Sequence, residues 1–321
     1  MTEVRDGTTA DGGYEIRPFE STADYRACVD LQEATWGDGF SERVSPAILK
    51  VSQILGGVAA GAYDDGGALV GFVFGLTGVR DGRMVHWSDM LAVRPGLRDS
   101  GLGRRLKAYQ REDLLSRGID TMYWTFDPLQ SRNAHLNITR LGAVVREYRV
   151  NMYGESDSPL HRGIGTDRFV ALWLMDSERV RRRLQRLDAP SARSSSHSDA
   201  RSADPDASSA HASSDADPSA RGASRFEDAP SALSAREGAA GPHPQPGLPD
   251  MGHLGNDAVR VSIPFDVGTL MEDDMELAVE WREATRTVFD GYMSAGFQVL
   301  EFKRGRPVST YLLSRIEKDG P

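Results

Sequence analysis

The sequence predicts an α/β fold. Three features carry that reading: segments that alternate with period two, segments whose apolar residues recur at helical spacing, and Gly- or Pro-marked breaks between them. YEIRPF, residues 14–19, alternates as a strand. ADYRACVDLQEATW sets Tyr25, Cys28, Val29, Leu31 and Trp36 roughly along a helix face. SPAILKVSQIL begins a second helix, with Ser45 as N-cap and Pro46 at the first helical position. GVAAGAY and ALVGFVFGL read as two strands joined through Asp64, Asp65, Gly66 and Gly67, a turn that makes them an antiparallel hairpin. MVHWSDMLAV is the next strand, closed by Pro95 and Gly96. The following helix carries Leu102, Leu106, Tyr109, Leu114 and Leu115 and ends at Arg117 and Gly118. TMYWTF is a strand, SRNAHLNITRLGA a short helix ending at Gly142, and VVREYRVNMYG and RFVALWLM are two further strands. In ERVRRRLQRL, Val180, Leu184 and Leu187 fall at helical spacing, which reads as a solvated helix face rather than an RNA-binding run.

From residue 188 to residue 257, Ser, Ala, Asp, Arg, Pro and His dominate. Phe226, Leu233, Leu248, Met251 and Leu254 are too few to offset the entropy of ordering this tract, roughly 1 kcal/mol or more per residue. The tract is therefore expected to be disordered. Its histidines, 197, 211, 243 and 253, have the irregular spacing of solvated low-complexity sequence rather than that of a metal site. Order resumes with VRVSIP and with MELAVEWREATRTVFDGYMSAG, a helix bearing Leu277, Trp281, Val288, Phe289 and Tyr292. Asp273 and Asp274 favour its start and Gly296 its end. FQVLEF and STYLLS form a strand pair around Gly305. The chain accordingly divides into residues 1–187, the tract 188–257 and a C-terminal strand-helix-hairpin, 258–321. That last segment is too small to bury much core alone, so it is expected to pack on the first module and complete or extend its sheet.

Composition narrows the function classes. A hydrophobic content of 39% fills a real core, and a formal charge of -9 gives no broad basic footprint, so neither nucleic acid nor an anionic membrane surface is the expected partner. Cys28 is the single cysteine, which excludes an intramolecular disulfide and a thiolate metal site and points to a reducing, cytoplasmic setting. No metal is implied. The first residues lack an apolar signal region, and no run of some eighteen apolar residues occurs.

RDSGLG, residues 98–103, lies between the strand ending LAVRP and the helix beginning RRLKAYQ. A helix start carries unpaired N–H groups and partial positive charge, and glycines let an anion approach the backbone. The stretch is thus either a turn or a phosphate cradle. Neither GxGxxG nor a P-loop is present.

The order of elements, together with R-x-x-G-x-G after the fourth strand, resembles the GNAT superfamily of N-acetyltransferases over residues 14–175. LAVRPGLRDSGLGRRL and SRNAHLNITRLGA are the most specific parts of the resemblance. It implies a mixed, mostly antiparallel twisted sheet flanked by helices, and acetyl-CoA as acyl donor. By the resemblance, Leu91, Ala92 and Val93 pair with the pantetheine arm. Arg98, Asp99, Ser100, Gly101, Leu102, Gly103 and Arg104 hold the pyrophosphate, with Ser131 and Asn133 at the mouth of the second helix. The C-terminal segment resembles the second half of the same fold without its pyrophosphate loop. One departure stands out: the helix position four before Gly142, often a tyrosine that protonates the thiolate, is Ile138, which leaves Asn137, Tyr148 and Tyr153 as the nearest candidates.

Acyl transfer to an amine needs a polarised thioester carbonyl and a base. The resemblance places a bulge on the fourth strand with a polarising N–H near Leu91. Asp89 and His86 are the candidate bases, and strand alternation puts them on opposite faces unless the bulge intervenes. Asp89 comes first, because it shares parity with Trp87, where the family's glutamate often falls. Trp124 and Phe126 either line an acceptor pocket or belong to the core, and Asp127 either binds substrate or caps the next helix. Asp167 and Arg168 either close the pocket or form a surface ion pair. The expected activity is acetyl-CoA-dependent N-acylation of a small-molecule or peptide amine. The alternatives are a catalytically weak acyl-CoA-binding sensor, suggested by Ile138, and a protein in which RDSGLG is only a turn.

Overall fold

The hairpin expected at the Asp64 turn forms, with the Asp64 side chain accepting from the N–H groups of Gly66 and Ala68, and the sheet is built outward from it. The computed structural model describes residues 13–37, 40, 42–97, 100–154, 163–188, 226–236 and 242–315. The first module runs β1 (Glu15–Pro18), α1 (Thr22–Trp36), α2 (Pro46–Ile54), β2 (Val58–Tyr63), β3 (Leu69–Arg80), β4 (Arg83–Val93), α3 (Leu102–Ser116) and β5 (Thr121–Phe126). It continues with α4 (Ser131–Ala134), which passes into a π-helical stretch (His135–Arg140), then β6 (Val144–Arg149), β7 (Arg168–Leu174) and α5 (Glu178–Asp188). α1 starts on a capping box between Ser21 and Asp24, and α2 on the Ser45 cap with Pro46 behind it. The second part comprises β8 (Ser231–Leu233), β9 (Ala235–Arg236), β10 (Gln245–Pro246), β11 (Ala258–Pro264), α6 (Val267–Asp273), α7 (Met275–Ser294), β12 (Phe297–Lys303) and β13 (Val308–Arg315).

Among the described residues, one 11-stranded sheet takes the order β1-β2-β3-β4-β5-β7-β6-β12-β13-β11-β8. Only β4 with β5 and β8 with β11 are parallel neighbours, which makes this the mixed, mostly antiparallel sheet expected. The second part repeats the plan of the first in reverse order. β11, its helices, β12 and β13 are arranged 11-13-12 as β5, α4, β6 and β7 are arranged 5-7-6, and β8 lies parallel beside β11 as β4 does beside β5. The two halves meet where β6 and β12 bridge at Val145 and Val299.

Each face of the sheet is buried by a different set of helices. Tyr25, Cys28 and Leu31 of α1 and Leu49 of α2 pack on Ala59, Phe72, Phe74, Met90 and Ala92. The opposite face carries Leu102, Leu106 and Leu114 of α3, and its core runs without interruption to Trp281, Val288, Phe289 and Tyr292 of α7. Phe169 of β7, Phe289 and Tyr311 of β13 form an edge-to-face cluster across both parts, with centroids 4.7 and 5.5 Å apart. α5 adds a polar tie: Arg179 and Arg183 both pair with Glu301 of β12.

The tract expected to be disordered departs from that expectation over its described residues, 226–236 and 242–257; the remainder lies outside them. Ala232 and Leu233 are fully buried beside β11, and Met251 and Leu254 pack against the main core. Trp281 Nε1 donates to Pro244 O at 2.9 Å and Tyr292 OH to Asp250 O at 2.8 Å. The few apolar residues here do not build a core of their own. They cover one supplied by α7 and β11, which composition alone does not reveal.

A buried ion pair locks the second part to the first. Arg282 of α7 donates through Nη2 to Asp127 Oδ2 at 2.6 Å and through Nε to Ile164 O at 3.1 Å, and both side chains of the pair are 2% exposed. Removing one partner of such a pair strands the other charge, at a cost of about 3–5 kcal/mol. Arg282→Met is therefore expected to lower the unfolding free energy by about that amount in urea denaturation. A loss below about 1 kcal/mol, the scale of an exposed pair, would show that the lock is unimportant.

Candidate functional site

β4 and β5 stay paired for only two residue pairs, His86 with Met122 and Trp87 with Tyr123. Beyond them β4 remains on β3, with Leu91, Ala92 and Val93 opposite Val73, Phe72 and Gly71. The β5-facing edge of residues 91–93 thus borders a gap in the sheet. The cause is local: between Phe74 and Gly75 the β3–β4 register slips, and Asp89 is the extra residue of a bulge.

The gap lies beside the start of α3. Gly101 takes φ +86° at the N-cap, a left-handed conformation that favours glycine, and offers no side chain to the helix. A Cβ on Gly103 would sit 3.4 Å from Leu91 Cδ2, so the helix lies directly on β4. Ser100 Oγ donates to Leu97 O at 2.7 Å, and Leu102 is buried. Arg104 is half-buried in the first turn. Arg98 and Asp99 lie outside the described residues. On the other side of the gap, Asn133 is exposed, as a ligand contact requires, but Ser131 is not: it is 3% exposed, with its Oγ 2.8 Å from Ser309 Oγ of β13. Ser131 is thus a tie to the second part, through a partner 178 residues along the chain.

His86 and Asp89 are parted. His86 is fully buried under α3, its Nε2 2.9 Å from Gln110 Nε2 and its Nδ1 3.1 Å from Thr77 Oγ1. Burial first, then the positive charges of Lys107 and Arg117, push its pKa down to about 3, so it is neutral and inside rather than a base at the surface. Asp89 is exposed to solvent yet set among crowded neighbours. Lost hydration is the largest cause raising its pKa, the Glu42 carboxylate adds to it, and a hydrogen bond from the Trp87 side chain opposes both. Asn137 is buried in the π-helical stretch, where its backbone carbonyl accepts from Ala143 N–H at 2.9 Å. Ile138 is fully buried.

Trp87 also lines a groove of about 480 Å³ with Arg80, Glu147, Asn151, Met152 and Val170. Arg80 pairs with Glu147 and lies 4.6 Å over the Tyr123 ring. Nearby, Tyr153 OH meets Thr125 Oγ1 at 2.9 Å, and the Arg168 guanidinium stands 5.3 Å over the Tyr153 ring. This groove escaped the sequence reading, since its lining comes from four separate stretches of chain. Trp124 and Phe126 do not reach it. They face the α3 side, edge-on to Trp173 and Phe169 at 5.8 and 5.7 Å, and are core.

Asp127 is 3% exposed. One oxygen accepts from Leu129 N–H at 2.8 Å and the other from Arg282, so the carboxylate closes a turn and forms an ion pair instead of capping the next helix, whose N-cap is Gln130 with no side-chain bond. Asp167 and Arg168 are also buried rather than a surface pair. Burial would raise Asp167, but hydrogen bonds from Arg286 and Tyr148 outweigh it and hold the carboxylate below its usual range. With Tyr148 committed to Asp167, its phenol pKa is pushed well up, by burial first.

No family model and no curated protein matches this chain. It is similar to several solved structures. The ribosomal-protein-S18-alanine N-acetyltransferase from Escherichia coli is 19% identical, with 51% of this chain and 95% of that chain covered and a TM-score of 0.41. A putative acetyltransferase from Salmonella typhimurium, with its cofactor acetyl-CoA, is 20% identical, covering 52% of this chain and 96% of that one at a TM-score of 0.41. An aminoglycoside 6'-acetyltransferase type Ii is 20% identical, covering 50% and 97% at a TM-score of 0.40.

The buried setting of His86 has a direct spectroscopic consequence. Its ring-proton NMR shifts are expected to stay flat from pH 8 down to pH 5, because both nitrogens are engaged and the charged form is excluded. A titration midpoint near 6.5, the unperturbed value, would return His86 to the list of bases.

Proposed function

We propose that the chain is an acetyl-CoA-dependent N-acyltransferase acting on the amine of a small molecule or peptide. The observation that carries this reading is the two-sided gap. Between β4 and β5 it exposes the strand edge of residues 91–93 next to the start of α3, and at its closed end stands Trp87, which lines the groove and hydrogen-bonds Asp89. A thin, polar, amide-rich chain can satisfy the strand edge as a missing strand would. The glycine-opened start of α3 suits the pyrophosphate at the end of that chain, with Arg104 in its first turn and Asn133 across the gap.

In this reading the CoA thioester supplies an activated acyl carbon and a tolerable leaving group, since a free thiol has a pKa of about 8.5. The N–H near Leu91 polarises the carbonyl. The amine attacks from the groove, the C–N bond forms, the C–S bond breaks, and Asp89 takes the amine proton directly or through one water. Protonation of the thiolate falls to solvent or to the exposed Tyr153 hydroxyl beside Thr125, because Ile138 has no proton to give and the phenol of Tyr148 is bonded to Asp167. The raised pKa of Asp89 sets the sign of the pH dependence. The carboxyl is protonated and inactive below that pKa, so kcat/KM rises with pH through a value above the usual aspartate range.

Calorimetry with acetyl-CoA and CoA, followed by thiol release across an amine panel, tests the assignment. Asp89→Asn is expected to lower kcat by about 100-fold or more while leaving acetyl-CoA affinity unchanged. Unchanged turnover would remove Asp89 from the mechanism. Tight acetyl-CoA binding with no turnover on any amine would favour the sensor reading suggested by Ile138.

A further inference from the structure

The point where β4 and β5 part is not closed by apolar side chains. Lys107 of α3 reaches into it, only 5% exposed, with Nζ 2.6 Å from Ser88 Oγ and 3.3 Å from Gln110 Oε1. On the β5 side the same nitrogen meets Met122 Sδ at 3.7 Å and stands 4.2 Å over the Trp124 ring. Ser88 is the first β4 residue past the last β4–β5 pair, and Met122 belongs to that pairing. Nζ therefore sits at the closed end of the gap.

The hydrogen bonds around it run one way. Thr77 donates to Gly56 O at 2.7 Å, neutral His86 to Thr77, and Gln110 to His86. Ser88 donates to Gln110 Oε1 at 3.0 Å, and Lys107 donates to both Ser88 and Gln110. Two of the ammonium's three donors are spent there. The third is left with a thioether and a ring face, weak partners for a cation. Among the described residues no carboxylate pairs with Lys107, and burial alone pushes its pKa down to about 7. His86, joined to it through Gln110, brings no negative charge.

Length then selects the ligand. From Leu91 to Ser88 is three residues, one of them the bulge, or roughly 7–10 Å of strand at about 3.3 Å per residue. Past the sulfur an acetyl group extends by only two bonds, each about 1.5–1.8 Å, which leaves room for one or two further carbons and a polar end. We propose that the preferred acyl donor is a CoA thioester whose short acyl chain ends in a carboxylate, of the malonyl or succinyl class, and that Lys107 with Ser88 receives that carboxylate at the closed end of the gap. This rests on the acyltransferase reading, with the donor's arm along residues 91–93. The chemistry of transfer is unchanged: the C–N bond forms and the C–S bond breaks, and the distal carboxylate takes no part.

Calorimetry of the full chain with CoA, acetyl-CoA, butyryl-CoA, malonyl-CoA and succinyl-CoA, in two buffers of different ionisation heat at pH 8, tests the proposal. At least one carboxylated donor is expected to bind ten-fold or more tightly than butyryl-CoA. Its binding is expected to take up close to one proton as Lys107 becomes charged, and butyryl-CoA none. Lys107→Met is expected to abolish both effects while leaving acetyl-CoA affinity within about three-fold. The proposal is overturned if the wild-type chain binds CoA and acetyl-CoA but favours butyryl-CoA over both carboxylated donors, or if Lys107→Met keeps the preference. The wild-type comparison decides even if that variant does not fold. Failure of every CoA species to bind overturns the acyltransferase reading itself, and the proposal with it.

Discussion

The parting of β4 from β5 is the constraint on which the candidate site depends. A parallel pair that stops after two residue pairs leaves strand edge unsatisfied inside the molecule, and buried backbone polar groups are costly without partners. The chain tolerates the gap because β3 holds β4 firmly on its other side and because the bulge at Asp89 directs the departure. Strand alternation puts His86 and Ser88 under α3, and the bulged Asp89 stays beside Trp87 of the groove. One backbone irregularity thus opens the gap, and alternation sorts the polar side chains around it.

The second part of the chain contributes rigidity to that region. Asp127, at the end of β5, and Asp167, at the start of β7, are both held by arginines of α7, one of them with both carboxylate oxygens engaged. Charges buried this deeply are costly to leave underpaired, so moving α7 off would strip both carboxylates of their nearest arginines. The shared aromatic cluster of Phe169, Phe289 and Tyr311 adds an apolar bond between the parts. The strands flanking the groove are therefore set in place by a segment that does not itself line it.

Much of the architecture was legible in the sequence because it depends on local periodicity. The Asp64 turn, the Ser45–Pro46 start and the glycine at the head of α3 each act over a few residues. The expectation that the C-terminal strand, helix and hairpin would complete or extend the first sheet rested instead on their small size, and they extend it. What was not legible depends on partners far along the chain. The charge that satisfies Asp127 lies 155 residues away, and the hydroxyl that meets Ser131 lies 178 away. Trp124 and Phe126 needed the sheet's facing to be known before core could be told from pocket. Lys107 could have been found: it and Gln110 fall on the buried stripe of α3 with Leu106 and Leu114, and a lysine on such a stripe calls for an explanation.

Amide hydrogen exchange in the presence of acetyl-CoA tests the central claim, that the β4–β5 gap receives a CoA thioester, most directly. Protection is expected at residues 91–93 and in the first turn of α3, with α1, β11 and β13 unchanged. Protection absent from both places, while acetyl-CoA is bound at saturation, would contradict the account.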